Sequence, residues 1–186
     1  MRIVAGSARG RTLKAPRGAD VIRPTSDKVR QAIFNVLGQW CEGQQVLDLF
    51  CGTGALALEA LSRGAARAVL VDSGREASLL ARENAAALGF SEQVEVFQIP
   101  AEKGIARLAA RGARFELIFA DPPYAQAAVD SLLVWLTTHA LLAPAGRLVI
   151  EHSKHEQAPE RAGLFTRVDQ RIFGETVVSI FALTEG

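Results

Sequence analysis

The chain has 186 residues, of which 49% are apolar and 22% charged, with a net charge of +1. That size fits one domain with a sizeable core, and that balance excludes a disordered chain. No apolar run approaches the roughly 18 residues a membrane helix needs, and no apolar segment follows the first basic residues, so no signal peptide is expected and the chain is assigned to the cytoplasm.

Residues 2–5 and 11–15 are short β-like runs around Ser7-Ala8-Arg9-Gly10, a hairpin turn by composition. Residues 16–24 read as loop. A helix is expected to start near Ser26, with Thr25 or Ser26 as its N-cap. Val29, Ala32, Ile33, Val36 and Leu37 have the spacing of one buried face, while Phe34 and Asn35 fall off it and suit either a crevice or ordinary packing.

The chain then alternates. Strand-like runs are Val46–Phe50, Ala68–Val71, Val94–Gln98, Leu117–Ala120 and Leu148–Glu151. Helix-like runs are Ala55–Ser62, Arg75–Leu88, Glu102–Arg111 and Ala127–His139. This predicts an α/β fold, a doubly wound and mostly parallel sheet with helices on both faces. Phe165–Phe173 and Thr176–Leu183, split by Gly174-Glu175, predict an antiparallel C-terminal hairpin.

Charge is unevenly spread. The first 30 residues hold Arg2, Arg9, Arg11, Lys14, Arg17, Arg23, Lys28 and Arg30 against Asp20 and Asp27. The rest of the chain is net acidic. A basic arm on an acidic body suggests a polyanionic partner; a solvated basic surface is the plain alternative. One domain over 1–186 is expected, with a basic extension over 1–40 and a core over 41–186. Cys41 and Cys51 make neither a disulfide framework nor a metal cluster, so both are expected reduced, and no metal is expected. Trp40 and Trp135 read as packing residues.

Ligands of doubly wound sheets bind beyond the carboxyl ends of the strands. The first strand of the alternation ends at Asp48-Leu49-Phe50-Cys51, Gly52-Thr53-Gly54 follow, and a helix opens at Ala55. Asp72 ends the next strand, where a carboxylate can accept from ribose hydroxyls. Gly52 to Ala57 also fits a dinucleotide fingerprint. Asp48 favours S-adenosylmethionine, because a carboxylate there can hold an ammonium but would repel a pyrophosphate. A tight turn without a ligand is the plain alternative.

A second loop, Asp121-Pro122-Pro123-Tyr124, follows the buried run Phe115–Ala120. These residue types suit methylation of an amine on an aromatic base. Asp121 and the Pro122 carbonyl can accept from the two N–H groups and orient the nitrogen lone pair. Consecutive prolines stiffen the loop. Tyr124, the single tyrosine of the chain, offers a ring for stacking. Transfer from a sulfonium needs orientation and no metal.

Arg23-Pro-Thr-Ser-Asp-Lys-Val-Arg-Gln-Ala-Ile-Phe-Asn35, with Asp48-Leu-Phe-Cys-Gly-Thr-Gly54 and Asp121-Pro-Pro-Tyr124, resembles the bacterial 16S rRNA (guanine(966)-N(2))-methyltransferase family over nearly the whole chain. The resemblance implies a seven-stranded Rossmann-like class I methyltransferase sheet. It implies S-adenosylmethionine as cofactor, guanine N2 as acceptor, and 16S rRNA in the small ribosomal subunit or an assembly intermediate as partner. Asp121, Pro122 and Tyr124 take the catalytic positions. Asp48, Cys51, Gly52, Thr53, Gly54 and Asp72 take the cofactor positions. The family's adenine-binding acid is replaced by Gln98-Ile99-Pro100-Ala101-Glu102, which leaves the Ala101 N–H and Glu102 as candidates. Arg2, Arg9, Arg11, Lys14, Arg23, Thr25 and Arg30 are the RNA-binding candidates, with solvation and capping as their plain alternative. Glu151 and His152 end a strand near the crevice, where hydrogen-bonded structure is the expected role for the histidine. A monomer is expected. Competing readings are an amino-methyltransferase acting on DNA adenine, protein glutamine or a small molecule, a non-catalytic RNA-binding module, and a nicotinamide oxidoreductase.

Overall fold

The computed structural model describes residues 1–16, 27–38, 41–123 and 128–184. Arg17, Arg23, Thr25, Ser26, Trp40 and Tyr124 lie outside the described residues, and with them the expected N-cap and part of both predicted RNA and catalytic sets.

The order of elements is α1 (Asp27–Leu37), β1 (Gln45–Leu49), α2 (Ala55–Ser62), β2 (Arg67–Asp72), α3 (Arg75–Leu88), β3 (Val94–Gln98), α4 (Ala101–Ala110), β4 (Phe115–Ala120), α5 (Ala128–His139), β5 (Leu142–Ser153), β6 (Arg161–Ala162), β7 (Phe165–Phe173) and β8 (Thr176–Leu183). They build one sheet in the order β3-β2-β1-β4-β5-β8-β7-β6. Strands β1 to β5 pair in parallel, and β8 and β7 add antiparallel. The order reverses between β1 and β4, which makes their carboxyl ends the switch point where ligands bind.

Seven strands match the expected sheet, and an eighth is added. Arg161–Ala162 pairs with Phe165-Thr166 around Gly163, whose φ is +57°. Two residues carry no alternation pattern, so this strand has no sequence signal. Strand β5 also begins six residues earlier than its pattern suggests. Its register against β4 shifts between Phe115 and Leu117, and a Cβ on Gly146 would stand 2.9 Å from the Ala143 carbonyl oxygen and 3.0 Å from that of Glu116. Such an irregularity, with Pro144 beside it, hides a strand from pattern reading.

Both faces of the sheet are covered. One carries α4 and α5, with Leu47, Val71, Ile105, Ile118, Leu132 and Ile150 in its core. The other carries α1, α2 and α3, with Phe34, Val46, Leu58, Phe119 and Val149. Ile3, Ala8 and Leu13 join this second core, so the basic extension is docked through its apolar residues. Its hairpin holds a single bridge, Arg2 to Thr12.

The buried face of α1 differs from the expectation. Val29, Arg30, Ile33 and Phe34 are buried, and Val36 is exposed. The helix is turned toward Phe34, whose ring packs on Phe119 of β4 at 5.8 Å. No described helix is long and apolar enough to cross a membrane.

Candidate active site

Strand β1 delivers Asp48 into the interior, 3% exposed, where its Oδ2 accepts the Ala57 N–H at 3.2 Å. The chain then turns sharply. Phe50 sits at φ +61°, Gly52 at +53° and Gly54 at +79°. A Cβ on Gly54 would stand 2.8 Å from Leu70 Cδ2, so glycine is required there by space as well as by φ. A Cβ on Gly52 would meet only open space, so that backbone is approachable from the crevice. Cys51 and Thr53 are buried, and the Cys51 N–H bonds the Val71 carbonyl at 3.1 Å.

Asp72, at the end of β2, binds this loop directly. Its Oδ2 accepts the Gly52 N–H at 2.9 Å and its Oδ1 accepts the Gly74 N–H at 2.8 Å. Each oxygen keeps a second lone pair. The carboxylate thus holds the loop and still has acceptor capacity for a hydroxyl.

Across the switch point, the Asp121 N–H reaches the Leu49 carbonyl at 3.4 Å, which joins the second loop to the first strand. Asp121 is half-buried, Pro122 buried and Pro123 exposed. Burial pushes the Asp121 carboxyl up to about 8, with the charges of Glu151 and then Asp48 adding to it. Burial likewise pushes Asp48 up to about 7, against the pull of the Ala57 N–H, with Asp72 adding to the rise. The carboxyl edge is therefore lined with acids that disfavour one another's charge. A cation seated among them would relieve that, and an anion would not.

The first turn of α4 faces the end of β3. Pro100 is its N-cap, with no side-chain bond to the helix N–H groups. Ala101 is buried and Glu102 exposed. Helix α4 lies close on β2, since a Cβ on Gly104 would stand 2.8 Å from Val71 Cγ1.

Of the RNA candidates, Arg2, Arg9, Arg11 and Lys14 are exposed. Arg2 lies 3.8 Å from Asp27 and Lys14 pairs with Glu83 at 2.9 Å, while Arg11 donates to the Ala87 carbonyl. Arg30 is a correction. It is 0% exposed, bonded by Nε to Glu59 at 3.3 Å and by Nη2 to Asp27 at 2.9 Å and to the Arg2 carbonyl. An RNA phosphate cannot reach it there.

Two features, at Glu59 and Asn84, carry no sequence signal that composition or spacing reveals. Glu59, fully buried on α2, accepts from Arg30, from Arg63 Nε at 2.9 Å, and from the Val4 and Ala5 N–H groups at 2.8 and 3.0 Å. Asn84 on α3 exchanges bonds with the Lys14 backbone at 2.8 and 3.1 Å and donates to the Thr53 carbonyl at 3.0 Å. His152 is buried against Ser179 Oγ at 2.9 Å, the structural role expected of it. Among the described residues no group of His, Cys, Asp and Glu could hold a metal ion.

The family profile described as conserved hypothetical protein 95 matches residues 1–182. YlbH of Bacillus subtilis, provisionally named an rRNA methyltransferase, is 36% identical over 97% of this chain and 98% of its own. Ribosomal RNA small subunit methyltransferase D of Escherichia coli K12 is 29% identical over 97% of this chain and 89% of its own. The solved structure of yhhF from Escherichia coli superimposes with a TM-score of 0.87 at 30% identity, over 100% of this chain and 99% of that one. A Salinibacter ruber RNA methyltransferase solved with S-adenosyl-L-homocysteine shares the fold at 18% identity and a TM-score of 0.66. The chain belongs to the conserved hypothetical protein 95 family, within which it is similar to bacterial rRNA methyltransferases along nearly its full length.

Proposed function

We propose that the chain methylates N2 of a guanine in 16S rRNA of the small ribosomal subunit, with S-adenosylmethionine as donor. One observation carries the choice of donor: the acids Asp48, Asp72 and Asp121 surround a glycine loop whose backbone is open at Gly52. S-adenosylmethionine supplies a positively charged sulfonium methyl and an ammonium, which match that acid-lined crevice; a pyrophosphate does not. The rRNA substrate is supported by the names of both curated relatives, and the small subunit by that of the Escherichia coli one.

Each residue has a task. Asp48 faces the ammonium while its other oxygen stays on Ala57. Asp72 accepts from ribose hydroxyls while it holds Gly52 and Gly74. The α4 terminus at Ala101 and Glu102 borders the adenine. Asp121 and the Pro122 carbonyl accept the two N2–H bonds of the base, which orients the nitrogen lone pair toward the methyl. Tyr124, outside the described residues, is assigned by its residue type to stacking on the ring. As the C–N bond forms, the S–C pair leaves on sulfur and one N2 proton is released to Asp121 or water. The base must leave its helical stack to reach this depth. Arg2, Arg9, Arg11 and Lys14 of the arm supply salt-sensitive contacts to phosphate.

Isothermal titration with S-adenosylhomocysteine and with NADH tests the donor. Binding of the first alone is expected; binding of NADH alone would overturn the reading.

A further inference from the structure

The acid row at the carboxyl edge has a member the proposed chemistry leaves unused. Register pairs Asp48 with Phe119, Phe119 with Val149, and Ala120 with Ile150. Partners in parallel register point to the same side of a sheet, and residues two apart share a face. Glu151 therefore faces the same side as Asp48, one strand beyond Asp121 and level with it. Glu151 is buried, 5% exposed, and its charge is felt at the Asp121 carboxyl. Two carboxyl groups thus stand side by side at the ends of β4 and β5, at the acceptor side of the switch point.

Guanine has two adjacent donor groups on one edge, N1–H and N2–H2. Adenine and cytosine each set an acceptor nitrogen beside their amine. An ionised carboxylate only accepts. With N2 held at Asp121, a second carboxylate alongside matches guanine N1–H and opposes the lone pair of an adenine or cytosine ring nitrogen. We infer that Glu151 is the base-selecting residue of this enzyme, accepting the N1–H of the target guanine while Asp121 takes N2–H. This rests on the methyl-transfer reading above and deepens it. It derives the choice of guanine from the neighbouring strand end and not from the Asp121 loop, which any exocyclic amine would satisfy. A carboxylate set against a ring-nitrogen lone pair places two acceptors face to face, which disfavours a base that lacks the N1–H.

The test uses the full chain and small subunits reconstituted from ligated 16S rRNA, with either guanine or 2,6-diaminopurine at the methylated position. Diaminopurine keeps the 2-amine and replaces N1–H with an acceptor. The wild-type chain is expected to prefer guanine in kcat/KM by on the order of tenfold to a hundredfold, as for one well-placed base contact. Glu151→Gln can donate its amide to the acceptor nitrogen, so it should shift the ratio toward diaminopurine by a similar factor. A packing role would lower both rates and leave the ratio unmoved. Equal wild-type use of the two bases overturns the inference, and so does an unchanged ratio in a folded Glu151→Gln. If Glu151→Gln does not fold, the wild-type comparison alone decides. Absence of methyl transfer to guanine subunits by the wild type would instead overturn the methyl-transfer reading itself.

Discussion

The Asn84 side-chain amide donates to the Thr53 carbonyl at 3.0 Å while it also bonds the Lys14 carbonyl at 3.1 Å. One buried amide therefore ties the basic extension to the glycine loop. Asn84→Ala leaves the Thr53 carbonyl and both Lys14 backbone groups without this partner. The expected cost is about 1–3 kcal/mol of stability, with S-adenosylhomocysteine affinity lowered several-fold. Urea unfolding and calorimetry check this; unchanged affinity would show that the loop holds its shape without the tie.

The glycine at position 6 meets the backbone of Ser62. A Cβ there would stand 1.7 Å from the Ser62 carbonyl oxygen, and φ is +81°. Gly6→Ala must lift the arm off α2, breaking the Ser7 to Ser62 backbone bond of 2.7 Å. We expect a loss of at least ~1–3 kcal/mol and new proteolytic cleavage within residues 1–16. Wild-type protease resistance would contradict the docking.

Arg30 and Arg9 separate two roles that sequence treats alike. Arg30→Ala removes one partner of a buried ion cluster on Glu59 and should cost roughly 3–5 kcal/mol. Arg9→Ala, exposed and with no side-chain partner among the described residues, should leave stability within about 0.5 kcal/mol. It should lower the slope of log affinity for 16S rRNA against log salt by about 1. The reverse pattern would restore Arg30 as a phosphate contact.

Much of this was legible in sequence. Periodicity gave α2, α3, β3 and both strands of the C-terminal hairpin at the bounds observed, because each is a regular run bounded by glycine or a turn. The loops around Asp48 and Asp121 follow from where parallel strands must end. Arg30, Phe34 and Glu59 were not legible. Charge suggests solvent, and helix spacing alone left Phe34 off the apolar stripe. That face of α1 lies inward through contacts distant in sequence: Phe34 on Phe119, and Arg30 on the Arg2 carbonyl and on Glu59, which also takes the Val4 and Ala5 N–H groups of the arm. The row formed by Asp121 and Glu151 depends on strand register, which no local pattern reports.

The acid row also sets a pH response. Asp48 and Asp121 hold protons up to about pH 7 and 8 in the folded chain, against 3.8 for an ordinary aspartate. Their contribution to stability is full below about pH 4 and is lost as pH rises through about 7 to 8. The stability difference between wild type and Asp121→Asn should therefore decline from about pH 4 to about pH 8. Ionised Asp121 is the form that accepts an amine N–H, so transfer should rise over the same window. Parallel melting curves at all pH values would contradict the assignment.

The most direct test is methyl transfer from labelled S-adenosylmethionine to small subunits, naked 16S rRNA and DNA, using wild type and Asp121→Ala, with the modified nucleotide mapped. One N2-methylguanine in 16S rRNA is expected from the wild type. The variant should turn over at least on the order of a hundredfold more slowly while binding S-adenosylhomocysteine at near wild-type affinity. Label confined to DNA or protein, or equal turnover by Asp121→Ala, would contradict the account.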